Sequence, residues 1–328
     1  MNRLEYENAC LAQLTDHRYY EEVPQNPTLD YAKKVSEMAK ELRSLNFITD
    51  RQQHSLTSEC RTPAPYGLPK MHKDYGLFPA FRLICSGTNS PTAKLSQFID
   101  TILKPAAQRT ASYVKDTTDF ILKIKDTQIT AEANTPTYLV TMDVTSLYPN
   151  IDHHEGTQAC INQLQNTANG NNIMPSDLIK RLFLLILQSN TMEFLGKFYH
   201  QIKGTAMGTG MAVNYANLFM AEFEDKMLQS YFNLHGTRPK RWLRFIDDIF
   251  FLWEGDEASL KQFLRYCNDF SEQQNMASSI KFTHSYSVNS VTFLDTTIIL
   301  PPPQWQSHHG TLHQANSFLP IPPSKFVS

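Results

Sequence analysis

The sequence has few cysteines and no cysteine pair spaced for a metal site. Its five cysteines stand at positions 10, 60, 85, 160 and 267, with no CxxC motif among them. Disulfide frameworks and zinc sites use even and closely spaced sets of cysteines. The odd, scattered set argues against both and predicts a protein of a reducing compartment.

Long apolar runs are also lacking. The longest extends only from Leu182 to Leu187, and the first residues carry Arg3, Glu5 and Glu7 without an apolar stretch. A membrane-spanning helix needs about 20 apolar residues, and a signal peptide needs an apolar core. The sequence therefore predicts an intracellular protein with neither a signal peptide nor a membrane partner; it leaves the oligomeric state open.

An excess of positive charge is missing too. The formal net charge is −2 and the pI is near 6.6, which excludes a protein that coats nucleic acid over its whole surface. Nucleic acid could bind only locally. Two basic clusters are candidates, although charge runs of this kind more often form a solvated charged face, which is the favoured interpretation of both: Arg238, Lys240, Arg241 and Arg244, and Lys70, His72, Lys73 and Arg82.

What is present is the pattern of a folded chain of mixed helices and strands. The 328 residues, 41% of them hydrophobic, are enough for two or three packed units. In the first part, helical periodicity behind a possible Thr28 cap predicts a helix to Leu45, and a second helix should begin at Ser90-Pro91 and end near Pro105. Prolines and glycines predict a loop with short extended pieces over 61–80.

The order of elements after residue 130 predicts a split ferredoxin-like unit, and with it an α+β fold. A buried strand from Thr137 to Met142 should end at Asp143, and two short apolar runs should form a hairpin with Asp247 and Asp248 at its tip. The remaining predicted elements are a helix from about 153, a helix at 175–190, a hairpin around Gly196-Lys197, a helix at 211–232, a helix at 256–275 and strands at 280–285 and 291–295.

Two adjacent aspartates between apolar strands are costly unless a cation neutralises them. Most Asp-Asp pairs lie in surface turns, but the flanks of Asp247 and Asp248 are apolar on both sides. Nucleotidyl transfer uses two divalent ions about 3.5–4 Å apart, held by acids from separate strands, and Asp143 could supply the third acid. A metal-dependent phosphatase or nuclease of another fold could also use clustered aspartates.

At this point the motifs resemble, over about residues 4–300, those of Penelope-like reverse transcriptases. Their order matches two fingers motifs, motifs A, B and C of the palm, and a primer grip. The matching segments are Tyr66–Lys73, Arg82–Ile84, Asp143–Tyr148 with Asn150-Ile151, Gln201 with Gly204–Thr209 and Tyr215–Met220, Phe245–Phe250 with Trp253, and Val291–Asp295. The Gly204–Thr209 segment is the most specific, because Met207 stands where other reverse transcriptases usually have glutamine.

The resemblance implies an RNA-directed DNA polymerase with a right-hand fold, which binds an RNA template, a DNA primer and dNTPs and works in the nucleus. It implies two Mg²⁺ ions, with Mn²⁺ as a substitute, bound by Asp143, Asp247, Asp248 and the carbonyl of Val144. Tyr148 takes the place of the steric gate that favours deoxynucleotides. The other implied nucleotide contacts are Lys70, Lys73, Arg82, Gln201, Met207 and Gly208, and Lys281 lies where a motif D lysine would protonate pyrophosphate.

The expected organisation is an N-terminal helical segment (1–60), partial fingers (61–130), the palm (131–300) and a Pro-rich unstructured tail (301–328). Val213 stands near where the family usually has proline in motif B. Members of the family usually also carry an upstream Asp-Lys-Gly element, a thumb and commonly a GIY-YIG endonuclease domain. These are not recognisable in this sequence, which therefore predicts a truncated enzyme. The alternative is an inactive remnant or a domesticated nucleic-acid-binding module.

Overall fold

The computed structural model describes residues 2–57, 59–69, 81–125, 127, 135–167, 174–300 and 313–314, which form an α+β fold. Its helices are α1 (Arg3–Leu14), α2 (Thr28–Ser44), α3 (Asp50–Leu56), α4 (Ala93–Ala107), α5 (Thr117–Ile124), α6 (Leu147–Asn150), α7 (His153–Thr167), α8 (Ser176–Leu187), α9 (Ala212–His235) and α10 (Glu257–Gln273). Its strands are β1 (Tyr20–Val23), β2 (Pro65–Pro69), β3 (Phe81–Cys85), β4 (Thr137–Val144), β5 (Thr191–Phe194), β6 (Lys197–Gln201), β7 (Lys240–Phe245), β8 (Asp248–Glu254), β9 (Phe282–Ser287), β10 (Ser290–Phe293), β11 (Thr296–Ile299) and β12 (His313–Gln314).

A four-stranded antiparallel sheet in the order β7-β8-β4-β9 is the centre of the second half. With α7 and α9 between β4 and β7, and α10 between β8 and β9, this order confirms the predicted split ferredoxin-like unit. Burial alternates along most of β4, as expected for a strand with two unlike faces. In β8, the residues from Ile249 to Trp253 are all buried, because both faces of this strand are covered.

Two hydrophobic cores cover the two faces of this sheet. Val140 and Met142 of β4 face the larger core, which helices α2 to α4 and α7 to α10 complete. On the other face, Phe250 of β8 packs against Phe120 of α5 and Phe293 of β10, with ring centroids 5.1 and 5.8 Å away. Each fully buried phenylalanine contributes about 1.5–3 kcal/mol. Both faces of the sheet are therefore covered, whereas the acids lie at the ends of its central strands.

The first quarter of the chain packs on a second group of strands. β1 pairs with β6 of the β5–β6 hairpin, so that Tyr20 lies opposite Gln201. β2 and β3 form a separate antiparallel pair, and a third core joins α1 to β3, β5 and β6 through Cys10, Leu83 and Met192, among others. This packing brings the strand that carries Arg82 towards the palm.

Several local predictions differ from the structure. Thr28 is the first residue of α2 and not its cap, and α4 continues through Pro105 to Ala107. Pro105 has no amide to donate to the carbonyl four residues before it, so its place inside the helix costs one hydrogen bond. Strand β11 was not predicted.

The predicted tail (301–328) lies outside the described residues except for β12, which pairs with β11. None of the described helices is long and apolar enough to cross a membrane. All five cysteines are free thiols, which agrees with the absence of a disulfide framework.

Candidate active site

The three predicted acids meet at one end of the palm sheet, where the central strand β4 ends and its neighbour β8 begins. Asp143 of β4 lies directly opposite Asp248 of β8, so both side chains leave the same face of the sheet. Asp247 occupies the turn between β7 and β8, and its carbonyl accepts a hydrogen bond of 3.0 Å from the amide of Val144. The sheet therefore joins the end of the motif A strand directly to the motif C turn.

Burial and electrostatic repulsion both act on the acids at this end of the sheet. Burial, followed by the charges of Asp247 and Asp143, raises the pKa of Asp248 from 3.8 to about 6. A carboxylate with a raised pKa is unstable in its charged form, and a cation beside it reverses the effect. This end of the sheet therefore favours the binding of a cation.

The donor set fits a hard divalent cation that keeps part of its shell for other ligands. Magnesium is usually held by one or two carboxylates together with substrate phosphates. The three carboxylates and the carbonyl of Val144 all offer oxygen atoms. Among the residues that the structure describes, no group of three or more His, Cys, Asp or Glu side chains is placed to hold a metal ion by itself. Ions here would therefore need the carbonyl of Val144 and the oxygens of a bound substrate.

Tyr148 stands between the acids and the fingers. It lies on the short helix α6, which begins after Ser146 adopts a left-handed φ of 53°. Burial, with a further contribution from the charge of Asp247, raises the pKa of Tyr148 to about 12, and Arg82 acts in the opposite direction. The half-buried ring therefore lies within electrostatic reach of both Asp247 and Arg82.

The Gly204–Thr209 segment packs closely against Tyr148. Gly204 has a φ of +78°, and a Cβ placed on it would lie 2.4 Å from the carbonyl oxygen of Tyr148. The same carbonyl accepts a hydrogen bond of 3.0 Å from the amide of Thr205. The carbonyl of Gly204 in turn lies 2.7 Å from Nε2 of His153, which donates to it. The Gly204–Thr209 segment therefore supports the backbone of Tyr148.

The other end of this segment is bound to the fingers. The amide of Cys85 donates to the carbonyl of Met207 at 3.0 Å. A Cβ on Gly208 would lie 2.3 Å from the carbonyl oxygen of Cys85, and one on Gly87 would lie 2.7 Å from that of Gly208. The two backbones can approach this closely only because both positions are glycines.

A cleft of about 200 Å³ opens where these parts meet, and its lining includes Arg82, Ser146, Gln201 and Met207. Arg82 is exposed, whereas Gln201 is only 1% exposed. The side-chain amide of Gln201 accepts a hydrogen bond from the side chain of Asn190 and donates one to the backbone carbonyl of Lys203. These contacts give Gln201 a part in shaping the loop. Lys70 and Lys73, the other predicted contacts of a triphosphate, lie outside the described residues.

A second cleft, of about 280 Å³, contains two of the three acids. Its lining includes Asp143, Asp248, the adjacent Thr283 and His284, and Phe293 from the predicted primer grip.

Two sequence-based expectations are not supported by the contacts. The ammonium of Lys281 binds Glu272 at 2.6 Å and the carbonyl of Asn268 at 2.7 Å, both on α10. It is therefore engaged away from the acids. Arg244, proposed above as part of a basic surface, is buried and forms an ion pair with Glu224. Local charge density could not reveal this, because it does not tell which way a strand residue points.

Sequence reasoning also missed the polar partners of Arg244. Asn217 and Glu224 lie seven positions apart on α9, in a stretch whose only other polar residue is Glu222, and both are buried. Residues seven apart share one face of a helix. Two polar residues at that spacing were the signal that could have revealed a buried network.

Comparison with known proteins shows the family of the chain. The model of the reverse transcriptase (RNA-dependent DNA polymerase) family matches residues 78–298, more than half of the chain. A search of the curated proteins found no match.

Solved polymerase structures share the fold. Telomerase from Candida tropicalis, in complex with a TWJ fragment of telomeric RNA, is 14% identical with a TM-score of 0.53, over 83% of this chain and 47% of that one. Telomerase from Candida albicans is 10% identical with a TM-score of 0.52, over 80% and 49%. The RNA-dependent RNA polymerase of BmCPV is 11% identical with a TM-score of 0.51, over 91% and 27%. The chain thus spans about half the length of the telomerase chains, and identities this low show the fold alone.

Proposed function

Because the chain belongs to the reverse transcriptase family, we propose that it is an RNA-directed DNA polymerase that extends a DNA primer on an RNA template. The observation that carries the proposal is the pairing of Asp143 with Asp248 at adjacent strand ends, beside Asp247. Acids that converge from separate strands are what two-metal nucleotidyl transfer requires. A phosphatase or nuclease of another fold would not explain the palm order of the strands.

The residues of the chain have separable roles in this reaction. Asp143, Asp247, Asp248 and the carbonyl of Val144 would hold two Mg²⁺ ions, and Mn²⁺ would fit the same oxygens. Bound there, such ions lower the pKa of the primer 3′-hydroxyl and neutralise the triphosphate. Arg82, exposed near Tyr148, supplies charge-assisted hydrogen bonds to the phosphates.

Sugar selection falls to Tyr148 and the loop behind it. The bulk of the ring crowds a ribose 2′-hydroxyl, and the contacts of Gly204 and Thr205 with the carbonyl of Tyr148 keep the ring in place. Met207 and Gly208 lie beside the cleft that the base pair would occupy, where Gly208 leaves the backbone free of a side chain. Lys70 and Lys73 are proposed to add positive charge over the triphosphate.

Within the family, we assign the chain to the Penelope-like group. The support is the Gly204–Thr209 segment with methionine at position 207, followed by Tyr215–Met220. The group also implies a nuclear location, which tagging of the protein in cells would test.

The decisive experiment is the addition of a single nucleotide to a DNA primer annealed to RNA, with the 328-residue chain in excess. Extension should require Mg²⁺ or Mn²⁺ and should fall more than about 100-fold in Asp248→Asn, because even the groups that only orient metal ligands are worth about 10–100-fold. Asp177→Asn, at an exposed position on α8, is the matched control and should be unchanged.

Two results would count against the proposal. Binding of primer–template without any extension, with either metal, would indicate an inactive remnant or a nucleic-acid-binding module. Extension that survives in Asp248→Asn would mean that the paired acids are not the catalytic site.

A further inference from the structure

A buried polar cluster lies directly behind the turn that carries the acids. Arg244, 1% exposed, donates from Nε to Glu224 at 2.8 Å and from Nη1 to the side chain of Asn217 at 2.7 Å. Its Nη2 donates to the carbonyl of Asn217 at 3.0 Å. Ser112 completes the cluster by donating to the second oxygen of Glu224 at 2.6 Å. We call these four residues the arginine cluster.

Stability alone does not explain this cluster. A buried ion pair often contributes no more than apolar side chains of the same volume, because both ions lose their hydration. Here the neighbouring side chains of Leu218 and Phe219 on α9 are apolar and buried. A different requirement must account for a fully buried guanidinium at this position.

That requirement is visible in the turn. Ile246 has a φ of +57°, a left-handed conformation that is strained for a β-branched residue. Its carbonyl accepts a hydrogen bond of 3.1 Å from Nη1 of Arg244. The next carbonyl, that of Asp247, binds the amide of Val144. Two hydrogen bonds therefore connect the guanidinium to the end of β4: one from Arg244 to the carbonyl of Ile246, and one from the amide of Val144 to the carbonyl of Asp247.

We propose that Arg244 is a positioning residue, and that the arginine cluster holds the β7–β8 turn in the strained conformation that places Asp247 and Asp248 opposite Asp143. The cluster connects α9 of motif B to the turn of motif C. It touches neither substrate nor metal. The inference rests on the proposed function for its catalytic meaning, but its structural part can be measured without catalysis.

The test combines two variants of the cluster with one control. Arg244→Lys keeps the charge beside Glu224 but loses the forked donors, and Asn217→Ala removes one acceptor. Met227→Ala, at a fully buried position of the same helix, bonds to no member of the cluster and is the control. Hydrogen exchange is measured at the amide of Val144, which reports the turn, and at that of Leu264 on α10, which reports global stability.

We expect both cluster variants to accelerate exchange at Val144 by about tenfold beyond any change at Leu264, as for the loss of a hydrogen bond to a charged group. Met227→Ala should accelerate both amides in parallel. In the extension assay, Arg244→Lys should raise the Mg²⁺ concentration for half-maximal activity several-fold, whereas Met227→Ala should not.

Parallel changes at Val144 and Leu264 in the cluster variants would overturn the inference, because the cluster would then act only through overall stability. Failure of both variants to fold would overturn it for the same reason. If the wild-type chain shows no extension but exchange at Val144 responds selectively, the proposed function fails while the positioning of the turn stands.

Discussion

Gly204 lies against the carbonyl of Tyr148 so closely that a methyl group on Gly204 would sit 2.4 Å from that oxygen. The two residues belong to different motifs, 56 positions apart in the sequence. The close approach means that the backbone of Tyr148 cannot move towards the loop. The sugar selection proposed for Tyr148 is thereby tied to a residue that has no side chain.

Replacing Gly204 by alanine should therefore combine backbone strain with a clash. Gly236→Ala is the control, because Gly236 has a similar φ of +69° but open space around it. A left-handed alanine costs about 1–2 kcal/mol, and overpacking adds about 1–3 kcal/mol. Urea unfolding should show a loss of about 1 kcal/mol for Gly236→Ala and about 3 kcal/mol or more for Gly204→Ala. Equal losses would mean that the loop yields freely.

Replacing Tyr148 by alanine should relax sugar discrimination. Without the ring, a ribose 2′-hydroxyl no longer meets a steric obstacle, so the efficiency of ribonucleotide addition should rise at least about tenfold relative to deoxynucleotide addition, a difference of about 1.4 kcal/mol. Single-nucleotide kinetics with both sugars measure this ratio. Tyr148→Phe keeps the ring and should keep the ratio. An unchanged ratio in Tyr148→Ala would make the tyrosine a packing residue only.

Asp248→Asn should stabilise the fold while it abolishes activity. Because burial and two neighbouring carboxylates raise the pKa of Asp248 to about 6, its charged form destabilises the folded state above the unfolded pKa of 3.8. The group is partly exposed, so solvent screening reduces the expected gain to about 1 kcal/mol at pH 7.5 without divalent ions. Urea unfolding with and without Mg²⁺ checks this, and bound Mg²⁺ should shrink the gain. A less stable variant would contradict the electrostatic account.

His153 should make the fold sensitive to mild acid. Burial lowers its pKa below 6.5, and its neutral ring donates to the carbonyl of Gly204. Since the folded state resists protonation, the contribution of His153 is fully present above about pH 6.5 and is lost as the pH falls towards the folded pKa. His153→Gln can still donate to Gly204 but cannot titrate. It should lose less stability than the wild type between pH 7.5 and 5, as measured by urea unfolding; equal losses would exclude His153 as the cause.

The palm could be predicted from the sequence because its signals are local. The apolar runs on both sides of Asp247 and Asp248 defined a hairpin, and the strand before Asp143 was a short β-rich run with a turn behind it. The sequence could not give the register that sets Asp143 opposite Asp248, because pairing between distant strands leaves no local periodicity. The order of motifs predicted that the three acids meet, and the structure supplies the register.

The cluster around Arg244 was missed for a different reason. Arg244 was grouped with Arg238, Lys240 and Arg241 by proximity in the sequence, yet its neighbour Arg241 is exposed while Arg244 is buried. Strand residues alternate between faces, and a β-bulge between Lys240 and Leu243 shifts the register here. The close contacts of Cys85 with Met207 and Gly208 likewise join segments that share no pattern.

The separation of β4 from β8 has a consequence for how the protein is made. Asp143 and Asp248 are 105 positions apart, and at about 5–20 residues per second a ribosome needs roughly 5–20 seconds to synthesise that interval. Throughout it, β4 is an apolar strand whose two partners, β8 and β9, do not yet exist. Unpaired strand edges of this kind attract other strands. Nascent chains that pause between residues 144 and 248 should therefore depend most on chaperones and be the most prone to aggregate.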